Sequence, residues 1–435
     1  MLISLVKQGQ LYFIFSFLAL IALGTLVLML PFCYQGEGPL NWLDALFTAT
    51  SASCITGLTT VKISNFTPAG QVVVLLLIQL GGIGIMTLTA SIILWLGRGM
   101  SFGNTMMMSN LSDNFSMRRT EGLLKTVVTY VFFIEAVGAL ALIVGFALDG
   151  RFRFGESCWY GIFLSISSFC NAGITPFDDS LVGMSFMVKT VVMVLIVAGG
   201  IGIYVIYDLT HFDRKQEMLK IHTRIVLITS AILIVVGALG LRCFEYWSGH
   251  EMISWTDAFF QSVSARTAGF NSVHLGDLAQ NSNSLLILLM MIGGSPGSTA
   301  GGMKTTVVAL AFLALISTVT GNNRVLLFRR EIPMGYILKS FTIIVTFVLL
   351  VISGAAILNM TLEAPALSVM FEATSALSTA GLSSGLAPTL APSGKLLLIV
   401  YMFIGRIGPF TMFLFLLGRE KVSRISYPEE RIIIG

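Results

Sequence analysis

Four segments of this chain follow one pattern around a single glycine. Each has a phenylalanine ten residues before the glycine, a small or hydroxyl-bearing residue just before it, and an apolar residue just after it. The segments read FTATSASCITGLT at 47–59, FLSISSFCNAGIT at 163–175, FFQSVSARTAGFN at 259–271 and FEATSALSTAGLS at 371–383. Self-similarity of this kind predicts a fold made of four copies of one structural unit.

A second glycine landmark follows each segment. It reads GGIG at Gly81, GGIG at Gly199, GGSPG at Gly293 and GRIG at Gly405. The separation between the two landmarks is equal in three segments and two residues longer in the second. A general abundance of glycine and serine in membrane helices explains either landmark alone, but it does not explain their fixed separation.

The composition requires lipid as the solvent. Hydrophobic side chains make up 55% of the chain and charged ones 11%, against roughly 25% charged in an average soluble domain. Apolar runs long enough to span a bilayer lie near 10–31, 70–96, 122–148, 187–208, 225–247, 284–318, 337–360 and 395–417. We expect the first of these to be a retained span and not a signal peptide, because no cleavage motif clearly follows it.

One glycine segment lies between the members of each successive pair of apolar runs. It is too short to cross and too apolar for an ordinary loop, which is typical of a re-entrant hairpin. The predicted fold class is therefore an all-α membrane protein with four tandem helix, pore loop, helix repeats, giving eight transmembrane helices and four re-entrant pore helices around one central pore. The predicted repeats are 1–99, 100–210, 211–320 with a broken second helix, and 321–435 with the C-terminal tail.

The distribution of charge predicts the orientation. Most of the 26 lysine and arginine residues fall in the connections on one side of the apolar runs. By the positive-inside rule both termini are cytoplasmic and the four re-entrant segments enter from outside, in a bacterial-type inner (plasma) membrane. The net charge of +4 is modest, so nucleic acid is not expected as a partner.

The repeated glycines suggest an ion pathway. A cation that crosses a bilayer must exchange its hydration shell for protein oxygens, and rings of backbone carbonyls supply these without a full charge in lipid. Glycine permits the backbone conformations that aim such carbonyls at an axis, and the negative C-terminal ends of four pore helices would favour a cation there. The predicted ion-binding filter residues are Ile55, Thr56, Gly57, Asn171, Ala172, Gly173, Thr267, Ala268, Gly269, Thr379, Ala380 and Gly381.

Further motifs resemble a known family. With the four filter segments, the runs SARTAGFNS at 264–272, GGSPGSTAGGMKT at 293–305, IGRIGP at 404–409 and the tail YPEERIIIG resemble the Trk/Ktr/HKT superfamily of potassium translocators, most closely the KtrB-type membrane subunit of bacterial Ktr systems. The resemblance covers essentially the whole chain. It implies one pore per chain, with K⁺ as the transported ion at the filter residues, and glycine at all four filter positions goes with potassium selectivity in that family.

The resemblance also implies partners. It predicts a homodimer embedded in membrane lipid and docked on a cytosolic ring of nucleotide-binding, KtrA-like regulatory subunits. We expect no cofactor in this chain, and nucleotide acts only through the partner, since the short stretch after the last apolar run leaves no room for a regulatory domain.

The sixth apolar run is interrupted by glycines and a proline. A broken helix at this depth must be buried in protein or line a wet cavity, and the family uses the corresponding loop as a gate. The predicted gate residues are Gly293, Gly294, Ser295, Pro296, Gly297, Ser298, Thr299, Ala300, Gly301 and Gly302, together with Arg406. A simple kink is the alternative. A phosphate-binding P-loop is rejected, because Met303 separates Gly302 from Lys304 and no strand precedes the run.

Two arginines have alternative interpretations. Arg406 replaces a glycine of the other repeats and is expected to project into the cavity under the filter, or else to pair with a carboxylate such as Glu135 or Asp208. Arg266 is expected to brace the third filter segment, with Asp44, Asp257 or Glu372 as a partner. A contact between Met106–Met108 and the partner ring is as compatible with the sequence as simple interfacial packing.

Other functions fit less well. A rocking secondary transporter predicts inverted repeats and breaks in corresponding helices of both halves, whereas this chain has direct repeats and one evident break. A membrane enzyme is not expected, since no HExxH, GxSxG or paired catalytic carboxylates occur at membrane depth. The five cysteines and four histidines have no metal-ligand spacing.

Overall fold

The described part of the chain is mainly helical. The computed structural model describes residues 2–36, 38–98, 117–210, 219–322, 324–362 and 364–408. In these ranges the helices are α1 Leu2–Leu28, α2 Trp42–Ser53, α3 Pro68–Arg98, α4 Met117–Asp149, α5 Phe154–Phe169, α6 Phe186–Gly200, α7 Ile203–Thr210, α8 Ile221–Ser248, α9 Trp255–Ala265, α10 Gln280–Met291, α11 Thr305–Val319, α12 Met334–Asn359, α13 Ala366–Ser378 and α14 Pro392–Ile407. A two-residue antiparallel hairpin, β1 Leu326–Leu327 with β2 Arg330–Glu331, precedes α12.

Each of the eight predicted apolar runs contains helix in its described part, with breaks in the runs 187–208 and 284–318, and the all-α prediction is confirmed. Three helices are long and apolar enough to span a membrane alone, namely Val127–Asp149, Ile221–Ser248 and Met334–Asn359. The bent pair α6 and α7 adds a fourth if it counts as one span, and Ile14–Leu28, Pro68–Gly84 and Thr305–Val319 are shorter apolar helices. Residues 409–417 of the last run, the tail and Met106–Met108 lie outside the described residues.

Four short helices form the centre of the molecule. Each of α2, α5, α9 and α13 lies between two longer helical runs and ends at one of the four glycine segments. Polar caps fix where two of them begin: the side chain of Asn41 accepts the Leu43 N–H, and that of Ser254 accepts the Asp257 N–H. Their last turns are buried, so that these helices are enclosed by the longer ones.

The third short helix is shifted by one residue. Phe47, Phe163 and Phe371 are buried as the repeat pattern predicts, but in the third segment Phe260 is buried in place of Phe259. The hydrogen bonds give the reason. The amide N–H of the residue before the glycine donates to a carbonyl five residues back in the other segments, as in Thr56 to Ser51, and four residues back in Ala268 to Ser264.

Two buried ion pairs join neighbouring units. Lys189 of α6 lies 2.6 Å from Asp257 in the first turn of α9, and Lys395 of α14 lies 2.7 Å from Asp44 in the first turn of α2. A carboxylate at a helix N-terminus is stabilised by the helix dipole. The two bonds connect α9 to α6 and α2 to α14, and loss of one partner would leave a largely buried charge unpaired, which is costly.

The second glycine landmark packs against the short helices. An added Cβ would lie 2.1 Å from the Ser53 carbonyl oxygen at Gly81, 1.9 Å from that of Phe169 at Gly199, and 2.0 Å from that of Leu377 at Gly405. These three carbonyls occupy the same position, four residues before the filter glycine. The fixed separation in the sequence therefore reflects a close main-chain contact that only glycine permits.

We expect Gly81→Ala to destabilise the protein by about 1–3 kcal/mol, because the Cβ forces two main chains apart. Gly84→Ala, three residues further along α3, is the matched control, since its Cβ would meet nothing nearer than 3.6 Å. Alanine favours a helix over glycine by roughly 0.5–1 kcal/mol, so this control keeps or raises the melting temperature. Equal melting temperatures for the two variants in detergent would contradict the proposed contact.

Candidate functional site

The four filter glycines form a closed ring. The ideal Cβ position of Gly57 lies 3.1 Å from the Gly381 Cα and 3.2 Å from that of Gly173, and that of Gly269 lies 3.1 Å from both the Gly173 and Gly381 Cα atoms. The order around the ring is thus Gly57, Gly173, Gly269, Gly381 and back to Gly57. This group is called the glycine ring below.

Carbonyl oxygens lie against each glycine of the ring. A Cβ would lie 2.7 Å from the Ala172 oxygen at Gly57, 2.7 Å from the Ala268 oxygen at Gly173, 2.8 Å from the Ala380 oxygen at Gly269 and 2.1 Å from the Thr56 oxygen at Gly381. Each of these oxygens belongs to the residue that precedes the next glycine in the ring. Any side chain at the four positions would collide with this oxygen layer.

The backbone repeats the same unusual conformation in all four segments. The glycines have φ between +65° and +101°. Two residues earlier, Ile55, Asn171, Thr267 and Thr379 have φ between +50° and +64°, a region that β-branched residues rarely adopt. Alternation of left-handed residues with a residue of negative φ turns successive carbonyls towards one side. Strain of this kind is retained where the surroundings determine the conformation, and it clusters at functional sites.

Additional oxygens lie buried beside the ring. The hydroxyl groups of Thr56, Thr267 and Thr379 are buried, and within the described part of the chain they have no hydrogen-bond partner. The four short helices end immediately before this region, which therefore receives the negative ends of four helix dipoles. No group of three or more His, Cys, Asp or Glu side chains that could hold a metal ion occurs among the described residues.

A cavity of about 230 Å³ lies on one side of the glycine ring and includes all four glycines in its lining. Lys62 and Asp178 stand at its wall, 2.6 Å apart, and Ser64 also donates to Asp178. The hydrogen bonds from Lys62 and Ser64 hold the pKa of the Asp178 carboxyl below its usual value. The ring thus opens into a polar vestibule.

The other side of the ring is covered by the segment between α10 and α11, residues 292–304, called the inner loop below. A Cβ on Gly301 would lie 1.9 Å from the Thr379 hydroxyl, and one on Gly293 would lie 3.2 Å from the Thr267 side chain. The Thr299 hydroxyl lies 3.2 Å from the Phe169 carbonyl oxygen at the end of α5. The inner loop therefore contacts the second, third and fourth filter segments at once.

The inner loop contains the whole predicted gate segment, and most of its residues are buried. Its two ends pair with each other: the Gly293 N–H donates to Met303 at 2.9 Å, and the Met303 N–H donates to Met291 at 3.0 Å. Lys304 closes the turn by donating to the Ala300 carbonyl at 2.7 Å. The Lys304 ammonium is thus engaged with a carbonyl of the loop itself, which is consistent with rejection of the P-loop interpretation.

Arg406 joins the inner loop to the first unit. Its guanidinium is buried and donates to the Thr299 carbonyl oxygen and, at 3.3 Å, to that of Gly81. No described carboxylate pairs with it. The alternative partners are engaged elsewhere, since Gln79 donates to Glu135 at 2.9 Å and Thr223 donates to Asp208 at 2.6 Å. The ion-pair alternative for Arg406 is therefore wrong within the described structure.

The predicted partners of Arg266 are wrong as well. Arg266 donates to the Ser230 hydroxyl at 3.1 Å. Asp44 and Asp257 form the ion pairs with Lys395 and Lys189, and Glu372 accepts hydrogen bonds from Ser383 and Ser384. Its position at the end of α9, buried beside the third filter segment, does agree with a bracing role.

A second broken helix was missed by the sequence analysis. Helices α6 and α7 meet at 94°, and Gly202, at φ +91°, forms the corner. The described residues therefore contain two interrupted runs and not one. The Ser295 N–H donates to Gly200 at 3.0 Å, and the Ile203 N–H donates to Gly297 at 3.1 Å, so the corner and the inner loop are hydrogen-bonded to each other. The only signal in the sequence was the glycine landmark itself.

The chain matches the TrkH family of cation transport proteins over residues 6–419. It is 35% identical to Ktr system potassium uptake protein B of Bacillus subtilis, over 97% of this chain and 95% of that protein. It is 36% identical to the protein of the same name from Vibrio alginolyticus, over 97% and 93%. Potassium/sodium uptake protein NtpJ of Enterococcus hirae is 33% identical, over 97% and 96%.

The fold is similar to that of the potassium transporter TrkH from Vibrio parahaemolyticus, with a TM-score of 0.73. The match covers 95% of this chain and 85% of that one at 22% identity. The resemblance inferred from the sequence motifs is therefore confirmed.

Proposed function

Because the chain belongs to the TrkH family of cation transport proteins, we propose that it is the potassium-translocating subunit of a bacterial potassium uptake system. The observation that carries this proposal is the glycine ring. It brings carbonyl oxygens from four segments together on a strained backbone, at the negative ends of four buried helices. Such an arrangement replaces the hydration shell of a cation and places no full charge in the membrane.

The proposed path has three parts. A cation enters the vestibule between the short helices, loses water in the carbonyl layer formed by the twelve predicted filter residues, and then meets the inner loop and Arg406. The four units, 1–99, 100–210, 211–320 and 321–435, each contribute one filter segment. Permeation is channel-like, and the inner loop with Arg406 is the gate.

The proposed setting is the plasma membrane with both termini in the cytoplasm. We propose a homodimer with one pore per chain, controlled by a cytosolic ring of KtrA-like nucleotide-binding subunits. The names of the relatives support a multi-component system, since two of them are Ktr system potassium uptake protein B. Potassium, rubidium and sodium fluxes measured in liposomes that contain this chain alone test the core of the proposal. Saturable potassium flux is the expected result, and failure of a folded preparation to pass any cation contradicts it.

We expect Gly57→Ser to lower the ratio of potassium to sodium flux several-fold. The new Cβ would lie 2.7 Å from the Ala172 oxygen, so the carbonyl layer must widen and lose its discrimination by oxygen number and position. Gly385→Ser is the matched control, because Gly385 also has a left-handed φ, +91°, but has open space around its Cβ position. A parental flux ratio in Gly57→Ser disproves the filter assignment at this position.

Deletion of Ser295–Gly301 should give a folded but leaky protein. The chain ends on either side of the deletion lie close together, since a Cβ on Gly302 would lie 3.3 Å from the Gly293 Cα. The main-chain pairing of Gly293 with Met303 lies outside the deletion. Flux of rubidium into liposomes, normalised to folded protein, is the measurement. Unchanged flux in a well-expressed deletion supports the simple-kink interpretation of the inner loop.

Arg406→Gln should raise potassium and rubidium flux together and leave their ratio nearly unchanged. A fixed positive charge repels a passing cation by several kcal/mol in a narrow dry cavity and by little in a wet one, and the barrier lies below the carbonyl layer that sets selectivity. Glutamine retains an N–H that can donate to Thr299. A lower melting temperature without any gain in flux contradicts the gating role and identifies Arg406 as a structural brace.

A further inference from the structure

The inner loop is fastened to the corner between α6 and α7. Three donors of the loop meet two carbonyls of α6: the N–H of Thr299 donates to Gly199 at 3.3 Å, its hydroxyl donates to the same oxygen at 3.2 Å, and the Ser295 N–H donates to Gly200 at 3.0 Å. In return, Ile203 donates to Gly297 at 3.1 Å. The contact is therefore made by main-chain groups in both directions.

The break in the helix makes groups available for these hydrogen bonds. In a continuous α-helix the carbonyls of Gly199 and Gly200 accept the N–H groups four residues later, those of Ile203 and Tyr204. A straight helix would therefore withdraw the Ile203 N–H from Gly297 and would direct two of its own amides at the carbonyls that the inner loop uses. Straightening of the helix and full attachment of the inner loop thus compete.

The same sequence forms a straight helix elsewhere in the chain. Residues 81–85 and 199–203 both read GGIGI. The first copy lies within the continuous helix α3, whereas the second copy is bent by 94°. Since the local sequence is identical, the bend is imposed by its surroundings, and the inner loop supplies those surroundings. The straight form is thus accessible to this pentapeptide.

Steric fit at the corner is close. A Cβ on Gly202 would lie 2.5 Å from the Pro296 carbonyl oxygen, and one on Gly297 would lie 2.8 Å from the Tyr204 ring. Beyond the corner, α7 is tied to the start of α8, because Asp208 accepts hydrogen bonds from the Lys220 N–H at 3.2 Å and from the Thr223 hydroxyl at 2.6 Å. Helix α7 is therefore connected to α8 at one end and, through Gly202, to the inner loop at the other.

We infer that Gly199, Gly200 and Gly202 are positioning residues of the gate. The broken helix holds the inner loop under the filter, and straightening of the helix releases it. This inference rests on the proposed function of the inner loop. Helix α7 precedes the basic connection predicted to face the cytoplasm. The inference therefore assigns α7 as the element through which a cytosolic partner acts on the pore.

The test is Gly202→Ala, which disfavours the bent form because a left-handed backbone and the contact with Pro296 both oppose a Cβ. The matched control is Gly84→Ala, the same substitution at the same position of the identical pentapeptide in the straight helix α3. Hydrogen exchange of the inner loop in nanodiscs, followed by mass spectrometry, reports release directly. We expect exchange of peptides that contain Ser295 and Thr299 to rise about tenfold in Gly202→Ala, rubidium flux to rise with it, and both to stay parental in Gly84→Ala.

Thr299→Val serves if Gly202→Ala does not fold. It retains the shape of the side chain and removes the hydroxyl bonds to Gly199 and Phe169, so exchange should rise by a smaller factor. Thr190→Val is its control, because the Thr190 hydroxyl bonds only to Phe186 of its own helix.

The two proposals fail differently. Parental exchange of the inner loop in folded Gly202→Ala and Thr299→Val overturns the inference, even if deletion of the loop raises flux. Increased exchange without increased flux, in these variants and in the deletion alike, retains the attachment and overturns the gating function.

Discussion

Close main-chain approach is the constraint on which the rest of this structure depends. At the glycine ring, carbonyl oxygens of one segment occupy the space that a Cβ of the next segment would need. At the second landmark, Gly81, Gly199 and Gly405 admit the last carbonyls of the short helices in the same way. Lipid offers no hydrogen bonds to irregular backbone, so such backbone must be enclosed by protein or face water. The long helices supply that enclosure.

The cost of this arrangement is backbone strain. Ile55, Thr267 and Thr379 are β-branched and left-handed, a conformation that isolated peptides avoid. What stabilises it is the hydrogen-bonded exit from each short helix, as in Thr56 to Ser51 and Ala380 to Ser375, both at 2.8 Å. The ion pairs of Asp44 and Asp257 fix two of these helices at their other ends. The strained backbone is therefore held in place from both ends of these helices.

Much of this could be predicted from the sequence because it depends on glycine. The four helices, the ring and the buried inner loop follow from residues that lack a Cβ at fixed positions. The partners of Arg266 and Arg406 could not be predicted, since neither is a carboxylate: Arg266 donates to the Ser230 hydroxyl and Arg406 to main-chain carbonyls. The one-residue shift at Phe260 depends on a hydrogen-bond choice at the end of α9 that the aligned pattern does not contain.

The missed break after Gly200 has a different physical origin. GGIGI is straight in α3 and bent between α6 and α7, so no local propensity distinguishes the two outcomes. In α3 the landmark lies against Ser53 and accepts a hydrogen bond from Arg406. In α6 the landmark lies against Phe169 and accepts hydrogen bonds from two N–H groups of the inner loop. These hydrogen bonds compensate for the helical ones that the bend removes. Only one repeat contains an interrupted segment able to supply such donors, and in the described structure the bend occurs only beside it. The broken helix and the interrupted segment are thus coupled departures from the repeated pattern, because each supplies hydrogen-bond partners to the other.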